Sequence, residues 1–337
     1  MTIGQFYARL GLLYLGLVVL CIFSLSIGRY DLSTSLILDI FLSKLNGVAP
    51  YWDATLETVL LDVRFPRIFL AILVGGALSV SGASYQTLFK NPMVSPTILG
   101  VSAGASFGAA LAMLHNETWW QIQFYAFFFG LIAVLAAYMI AWLFGRHELT
   151  VMILAGIIIS SLFGALLSVL KLLADTDNAL PAITFWLMGS LGRGSTRDIL
   201  VMLPALLCSL FLLFIFRYQI NALSAGEEEA TTLGVNVRLV KSVVIFSATL
   251  MTAISVCITG IVGWVGLVIP HMARILVGAS YPRLIAASFG LGGLCLLLID
   301  NIIRGIPGVD LPLGVMTSLI GAPIFVLFLT RIRRGWL

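Results

Sequence analysis

The chain has 337 residues, 60% of them hydrophobic and 10% charged, with 19 Lys and Arg against 15 Asp and Glu for a net charge of +4. A mean hydropathy of +1.09 means more apolar surface than a water-soluble fold of this size can hide, so lipid is the solvent. A β-barrel would alternate apolar and polar residues in segments of about ten, whereas the apolar runs here approach the roughly twenty residues of a spanning helix. The sequence therefore predicts an all-α integral membrane protein with a single transmembrane domain over residues 1–337.

Arg9 ahead of Leu10–Ile27 has the outline of a signal peptide, but the run is long and no small-x-small cleavage site follows, so it reads as a retained first helix. Apolar runs and their Gly, Pro or polar breaks predict about ten spans, near 10–29, 66–88, 94–114, 121–144, 149–173, 197–217, 240–259, 262–278, 284–302 and 312–330. Only Thr259–Gly260 parts the seventh from the eighth. Cys21, Cys208, Cys257 and Cys295 fall inside apolar runs without pairing or metal spacing and read as small hydrophobes.

A cytoplasmic N-terminus returns the C-terminus to the same side and places eleven Lys and Arg inside against eight outside, a bias reinforced by Arg331, Arg333 and Arg334. The basic pI near 9.0 then reports topology, and no nucleic-acid partner is expected. The longest connections are 30–65 and 174–196 outside and 218–239 inside, so no soluble domain is expected between spans.

Within the inside connection, "SAGEEEATTLGVNVR" (224–238) is an acidic island in an apolar chain. Gly226 can open a short helix, Glu227, Glu228 and Glu229 suit its positive end, and Gly234 can close it. Ala230, Leu233 and Val237 fall on one predicted face. A plain connector needs only a few residues, and this loop has about twenty.

Other residues invite chemical readings. Arg64 and Arg67 flank Pro66 at the outer mouth of the second span, and Arg304 follows the ninth. Outer arginines either snorkel to lipid headgroups or grip carboxylates bidentately. Gly100, Gly104 and Gly108 repeat at i, i+4 and i+8, as Gly75, Ser79 and Gly82 nearly do, which allows close helix approach in lipid. Ser160, Ser161 and Ser168 on the fifth span and Thr317 and Ser318 on the tenth offer uncharged polar groups for a pathway, or bonds to their own helix carbonyls. His115, His147 and His271 lie far apart with no ligand partners at metal spacing, so no metal centre is expected. No phosphate-binding Gly-rich loop is present, so ATP hydrolysis by this chain is not expected. An ion-coupled secondary transporter would show ionisable residues deep in its spans or two repeated halves. Here Lys171, Arg274 and Asp300 sit near predicted span ends. A membrane-embedded enzyme would need a convergent catalytic set, and none is visible.

Four blocks, in order, give the chain a family likeness. They are "RFPRIFLAILVGGALSVSGASYQTLFKNPMVSPTILGVSAGASFGA" (64–109), "ALSAGEEEATTLGVNV" (222–237), "GIVGWVGLVIPHMAR" (260–274) and "LPLGVMTSLIGAPIFVLFL" (311–329). Together they resemble the permeases of type II ABC importers, the FecCD-like family, across nearly the whole chain.

The resemblance implies a permease in the bacterial inner membrane that moves a metal chelate or oxyanion (iron-siderophore, haem, cobalamin, molybdate or tungstate) by alternating access. Within the family the chain looks most like the molybdate-type branch. It implies a homodimer served by a periplasmic binding protein and by two ATPase subunits that carry the ATP and magnesium. By the same resemblance, Ala225, Gly226, Glu227, Glu228, Glu229, Ala230, Leu233 and Gly234 would form the ATPase-coupling elbow. Arg64, Arg67 and Arg304 would dock the binding protein. Ser160, Ser161, Ser168, Thr317 and Ser318 would line a pathway between the fifth and tenth spans of two copies. An inner gate would fall at "HELTV" (147–151), with Glu148 and Thr150, although His147 and Glu148 depart from the small hydroxyl pair expected there.

Overall fold

The computed structural model describes every residue except 1, 29, 31, 47–50, 146–147, 307, 309–310 and 333–337. Among the described residues the chain forms fifteen α-helices and no strand. They are α1 (Ile3–Ser26), α2 (Thr34–Asn46), α3 (Ala54–Thr58), α4 (Phe65–Leu88), α5 (Val101–Leu114), α6 (Trp119–Gly145), α7 (Leu149–Leu173), α8 (Ala179–Met188), α9 (Thr196–Ile215), α10 (Arg217–Ala225), α11 (Glu227–Thr232), α12 (Val237–Thr259), α13 (Val265–Val277), α14 (Tyr281–Gly305) and α15 (Leu313–Ile332). A π-helical stretch, Val59–Arg64, joins α3 to α4 without a break.

Seven of these segments are long and apolar enough to cross a membrane, and α5, α13 and α15 are shorter apolar helices where further spans were expected. The ten predicted spans are thus all present as helices, with shifted ends. Val94–Gly100 is not helical. Pro92 and Pro96 disfavour helix before them, and Gly100 takes φ +90° before α5 can begin. Between α12 and α13 the break is five residues, with Gly260 at φ +72° and Trp264 at φ +67°. Two expected loops hold helices instead: α2 and α3 within 30–65, and α8 within 174–196.

The centre of the bundle is α4 and α12, buried along most of their length, while α1, α6, α7 and α9 turn apolar surface outward. Without water inside the bilayer, helix association depends on close packing and hydrogen bonds rather than hydrophobic burial. The α4 sequence supplies both. A Cβ on Gly75 would meet the Gly292 carbonyl of α14, and one on Gly82 the Gly266 carbonyl of α13, so glycine alone permits these approaches. On either side of Gly82, Ser81 Oγ lies 2.7 Å from Thr252 Oγ1, Tyr85 Oη 2.8 Å from Thr249 Oγ1, and Ser84 Oγ 2.8 Å from Tyr281 Oη. Gly104 and Gly108 let α5 lie directly on α6, against the Phe129 and Tyr125 carbonyls. Gly100 caps α5 rather than sharing that face. Of the cysteines, Cys257 is buried and Cys208 is exposed on the outside of α9.

Candidate functional site

One end of the bundle carries the elbow α10–α11. Arg217–Ala225 buries Ile220 and Leu223 against the bundle, and Asn221 Oδ1 accepts the Tyr281 N–H at the start of α14 at 2.9 Å. The chain turns at Gly226, in extended backbone, into Glu227–Thr232, whose three glutamates occupy the first turn where the helix dipole favours anions. Gly234, at φ +77°, ends it: its N–H donates to Thr231 O at 2.9 Å and the Val235 N–H to Ala230 O at 3.0 Å, a Schellman-type closure. The Lys241 ammonium of α12 pairs with Glu227 Oε1 at 2.7 Å, fixing the elbow's second arm to the bundle. Ala230 is fully buried and faces inward, while Leu233 is 73% exposed and Val237 half-buried. The expected common face of Ala230, Leu233 and Val237 is therefore corrected, because α11 ends at Thr232 and the chain turns before a second helical repeat can form. Glu227, Glu228, Glu229, Leu233 and Ala225 form the exposed rim.

At the opposite end the three outer arginines are held by partners within the bundle. Arg64 is 3% exposed, and its guanidinium donates to the Leu25 carbonyl at 2.6 Å and to the Tyr30 carbonyl. Arg67 meets Asp300 through Nε (2.9 and 3.2 Å) and Nη2 (2.9 Å). Arg304, one helical turn beyond Asp300, adds Nε at 3.0 Å and also donates to Ser24 and Asn301. Asp300 is fully buried. Burial of these cations is tolerable because most of their donors find a carboxylate, carbonyl or hydroxyl oxygen, and the result ties α1, α4 and α14 together.

A second polar tie joins α4 to α13. The Gln86 amide donates to Leu267 O at 3.1 Å and Val94 O at 3.3 Å, while its Oε1 accepts from Arg274 Nη1 at 2.5 Å. One side chain thus holds the turn after α4, the start of α13 and its last-turn arginine.

Between the two ends, α15 packs mainly on α14 and α13 and leaves Val315, Leu319, Val326 and Leu327 exposed, and α7 likewise exposes Leu154, Ile157, Ile158 and Leu162. The hydroxyls placed on these helices differ in availability. Ser168 Oγ donates to Gly164 O at 3.0 Å, and Thr317 and Ser318 both donate to Gly314 O, at 3.0 and 2.7 Å. Their protons are held by their own helices, and Thr317 is buried. Ser160 sits beside the cap of α5, with Oγ 3.2 Å from where a Cβ on Gly100 would stand, and Ser161 is exposed. Glu148 is the N-cap of α7 with its side chain turned outward, and Thr150 is exposed beside it. His147 lies outside the described residues.

At the head of α15 three helix ends meet through backbone atoms. The Leu313 N–H donates to Gly189 O at 2.9 Å, and the Ser190 N–H to Thr259 O at 2.7 Å. Gly189 and Gly260 both take left-handed φ, +75° and +72°, and a Cβ on Gly314 would strike the Ile261 and Met188 carbonyls. This junction locks the end of α8 to the end of α12 and the start of α15.

The architecture agrees with known proteins. Residues 16–331 match the FecCD transport family. The chain belongs to that family. It is 38% identical over 320 residues to the molybdate import system permease protein MolB of Haemophilus influenzae, covering 95% of this chain and 94% of that one. It is 33% identical over 335 residues to the hemin transport system permease protein HmuU of Yersinia pestis, covering 96% of each. A solved structure described as an inward-facing conformation of a metal-chelate type ABC transporter superposes with a TM-score of 0.83 at 34% identity, over 96% of this chain and 99% of that one. The chain is thus a multi-pass ABC transporter permease, with a fold of that type.

On this FecCD fold the residues singled out in the sequence fall into three separate groups: the exposed elbow, the buried arginine cluster, and the α7 and α15 faces. Sequence reasoning placed Asp300 near a span end but did not pair it with the arginines, although its i, i+4 spacing to Arg304 was visible. It also missed the Gln86–Arg274 tie, which joins two of the four blocks that carried the family likeness. The helix α8 gave no signal beyond a ten-residue apolar run, too short to read as a span.

Proposed function

We propose that the chain is the membrane-spanning permease of an ATP-driven importer in the bacterial inner membrane, working as a homodimer by alternating access, with both termini in the cytoplasm. The observation that carries this reading is the elbow α10–α11. It is braced against the bundle, and its tip presents Glu227–Glu229 and Leu233 to solvent. A lone transporter has no use for such a knob, whereas two ATPase subunits, each binding one elbow, could pass closure on binding ATP and magnesium directly to α12 and, through Asn221 and Tyr281, to α14.

The apolar faces of α7 and α15 fit a seam against a second copy, with Ser160 and Ser161 lending it uncharged polarity. A periplasmic binding protein would deliver cargo at the arginine end. Since Arg64, Arg67 and Arg304 are turned inward, they would shape that landing surface rather than reach out to it. The cargo class is a metal chelate or metal oxyanion, and the full-length match to MolB favours molybdate or tungstate. The test is reconstitution of the chain with its ATPase and binding protein in vesicles. ATP-dependent uptake of labelled molybdate, lost when the ATPase is omitted, is the expected result. Uptake driven by an ion gradient without ATP would reject the reading.

A further inference from the structure

Behind α8, at the arginine end, one subunit encloses a cavity of about 550 Å³. Its polar side chains are Arg67, Arg193, Ser190 and Thr259, the last with its hydroxyl proton given to Ser255 O. Among the described residues no Asp or Glu lines it. Arg67 is committed to Asp300 only through Nε and Nη2. Its Nη1 is left over and lies 3.8 Å from where a Cβ on Gly192, a residue of the cavity wall, would stand. Arg193 lies 5.0 Å over the Trp119 ring, a cation–π contact that occupies no hydrogen-bond acceptor. Ser190 Oγ accepts from the Gly192 N–H at 3.0 Å, so its own proton remains to be given.

Trp119 and Trp186 contribute their rings to the wall; the Nε1 atom of each is sealed from solvent, so neither N–H is turned to the cavity. Behind the wall the charge is unbalanced, since one carboxylate, Asp300, serves two guanidiniums. The volume exceeds that of a tetrahedral oxyanion, which would enter with part of its hydration shell at about 30 Å³ per water.

We infer that this cavity is a binding site for a tetrahedral oxyanion group within each single subunit. The oxygens of such a group accept from guanidinium and hydroxyl donors at once, and charge-assisted bonds of this kind are the strong ones. A free ion such as molybdate, sulfate or phosphate carries this chemistry, and so does the phosphate of an anionic lipid. As a resting place for an anionic cargo beside the pathway, the site rests on the transport reading above; the binding itself does not.

The test uses the full-length chain in nanodiscs of zwitterionic lipid, titrated with molybdate, sulfate and phosphate, with tryptophan fluorescence and heat as readouts. Saturable binding is expected, weakened about tenfold or more by Arg193→Gln, an exposed position whose change spares the fold. Ser190→Ala removes the hydroxyl donor and should also weaken binding. The same titration in phosphatidylglycerol nanodiscs separates the sources. Weaker apparent binding assigns the site to lipid phosphate, and unchanged binding assigns it to the free ion. No saturable response in zwitterionic nanodiscs up to about 10 mM, or equal affinities in wild type and both variants, overturns the inference. Because no ATPase is present, oxyanion binding without ATP-driven uptake in the vesicle assay would reject the transport reading and leave the site standing.

Discussion

Arg67 holds Asp300 Oδ1 through Nε and Nη2, each at 2.9 Å, while Oδ2 is shared between Arg67 Nε at 3.2 Å and Arg304 Nε at 3.0 Å. Removing the shared anion strands two guanidiniums. Asp300→Asn should therefore destabilise the chain by about 3–5 kcal/mol, the usual cost of breaking a buried pair from one side. Adding Arg67→Gln to Asp300→Asn should recover part of that loss, because fewer uncompensated charges remain. Thermal unfolding in detergent reads both. Equal stability of wild type and Asp300→Asn would mean the cluster is solvated.

The α4 contacts predict a steric contrast. Gly82→Ala places a Cβ against the Gly266 carbonyl, and overpacking of this kind costs about 1–3 kcal/mol or more. Gly11→Ala on α1 meets nothing within 4 Å and should be neutral or slightly stabilising, by up to about 1 kcal/mol of helix propensity. Paired melting curves of the two variants check this, and a stable Gly82→Ala would show that α4 and α13 can move apart cheaply.

Gln86 gives a prediction in which a new ion pair should fail to help. Gln86→Glu offers Arg274 a charged partner but loses both N–H donors, leaving a carboxylate against the Leu267 and Val94 carbonyls. The repulsion and the lost bonds should outweigh the pair, giving a net loss of about 1–3 kcal/mol. A raised melting temperature in Gln86→Glu would reverse the ranking of these effects.

At the elbow, fold and function should separate. Changing Glu227, Glu228 and Glu229 to Lys removes only the Lys241 pair and surface charge, so stability should shift by about 0.5 kcal/mol or a little more. Transport and ATPase capture should nevertheless be lost. Leu233→Ala, at a residue 73% exposed, should weaken ATPase capture with no change in melting. Affinity pull-down of the ATPase beside a melting curve measures both, and intact capture in both variants would return the elbow to a simple connector.

Much of this protein was legible because membrane helices announce themselves by length and hydropathy, as α1, α6, α7, α9 and α12 did. The elbow was legible for the opposite reason: charge, glycine stops and surplus length set it apart. What stayed hidden was pairing at a distance. Nothing local in Arg64 says that it bends back to carbonyls near the end of α1, or in Arg67 that its partner lies 233 residues away. Short apolar α8 and the non-helical Val94–Gly100 were misread because a hydropathy run cannot distinguish a spanning helix from a buried turn.

The junction of Gly189, Thr259 and Leu313 is fastened by main-chain atoms. Substitution cannot cut such stitches one side chain at a time; only a change that forbids the backbone itself, such as proline at Leu313 or a β-branched residue at Gly189, can open it. Side chains around it can be exchanged while the joint persists. Three helices so fastened also share their displacement: a tilt imposed on α15 is delivered to α8 and to the end of α12 as one lever stroke.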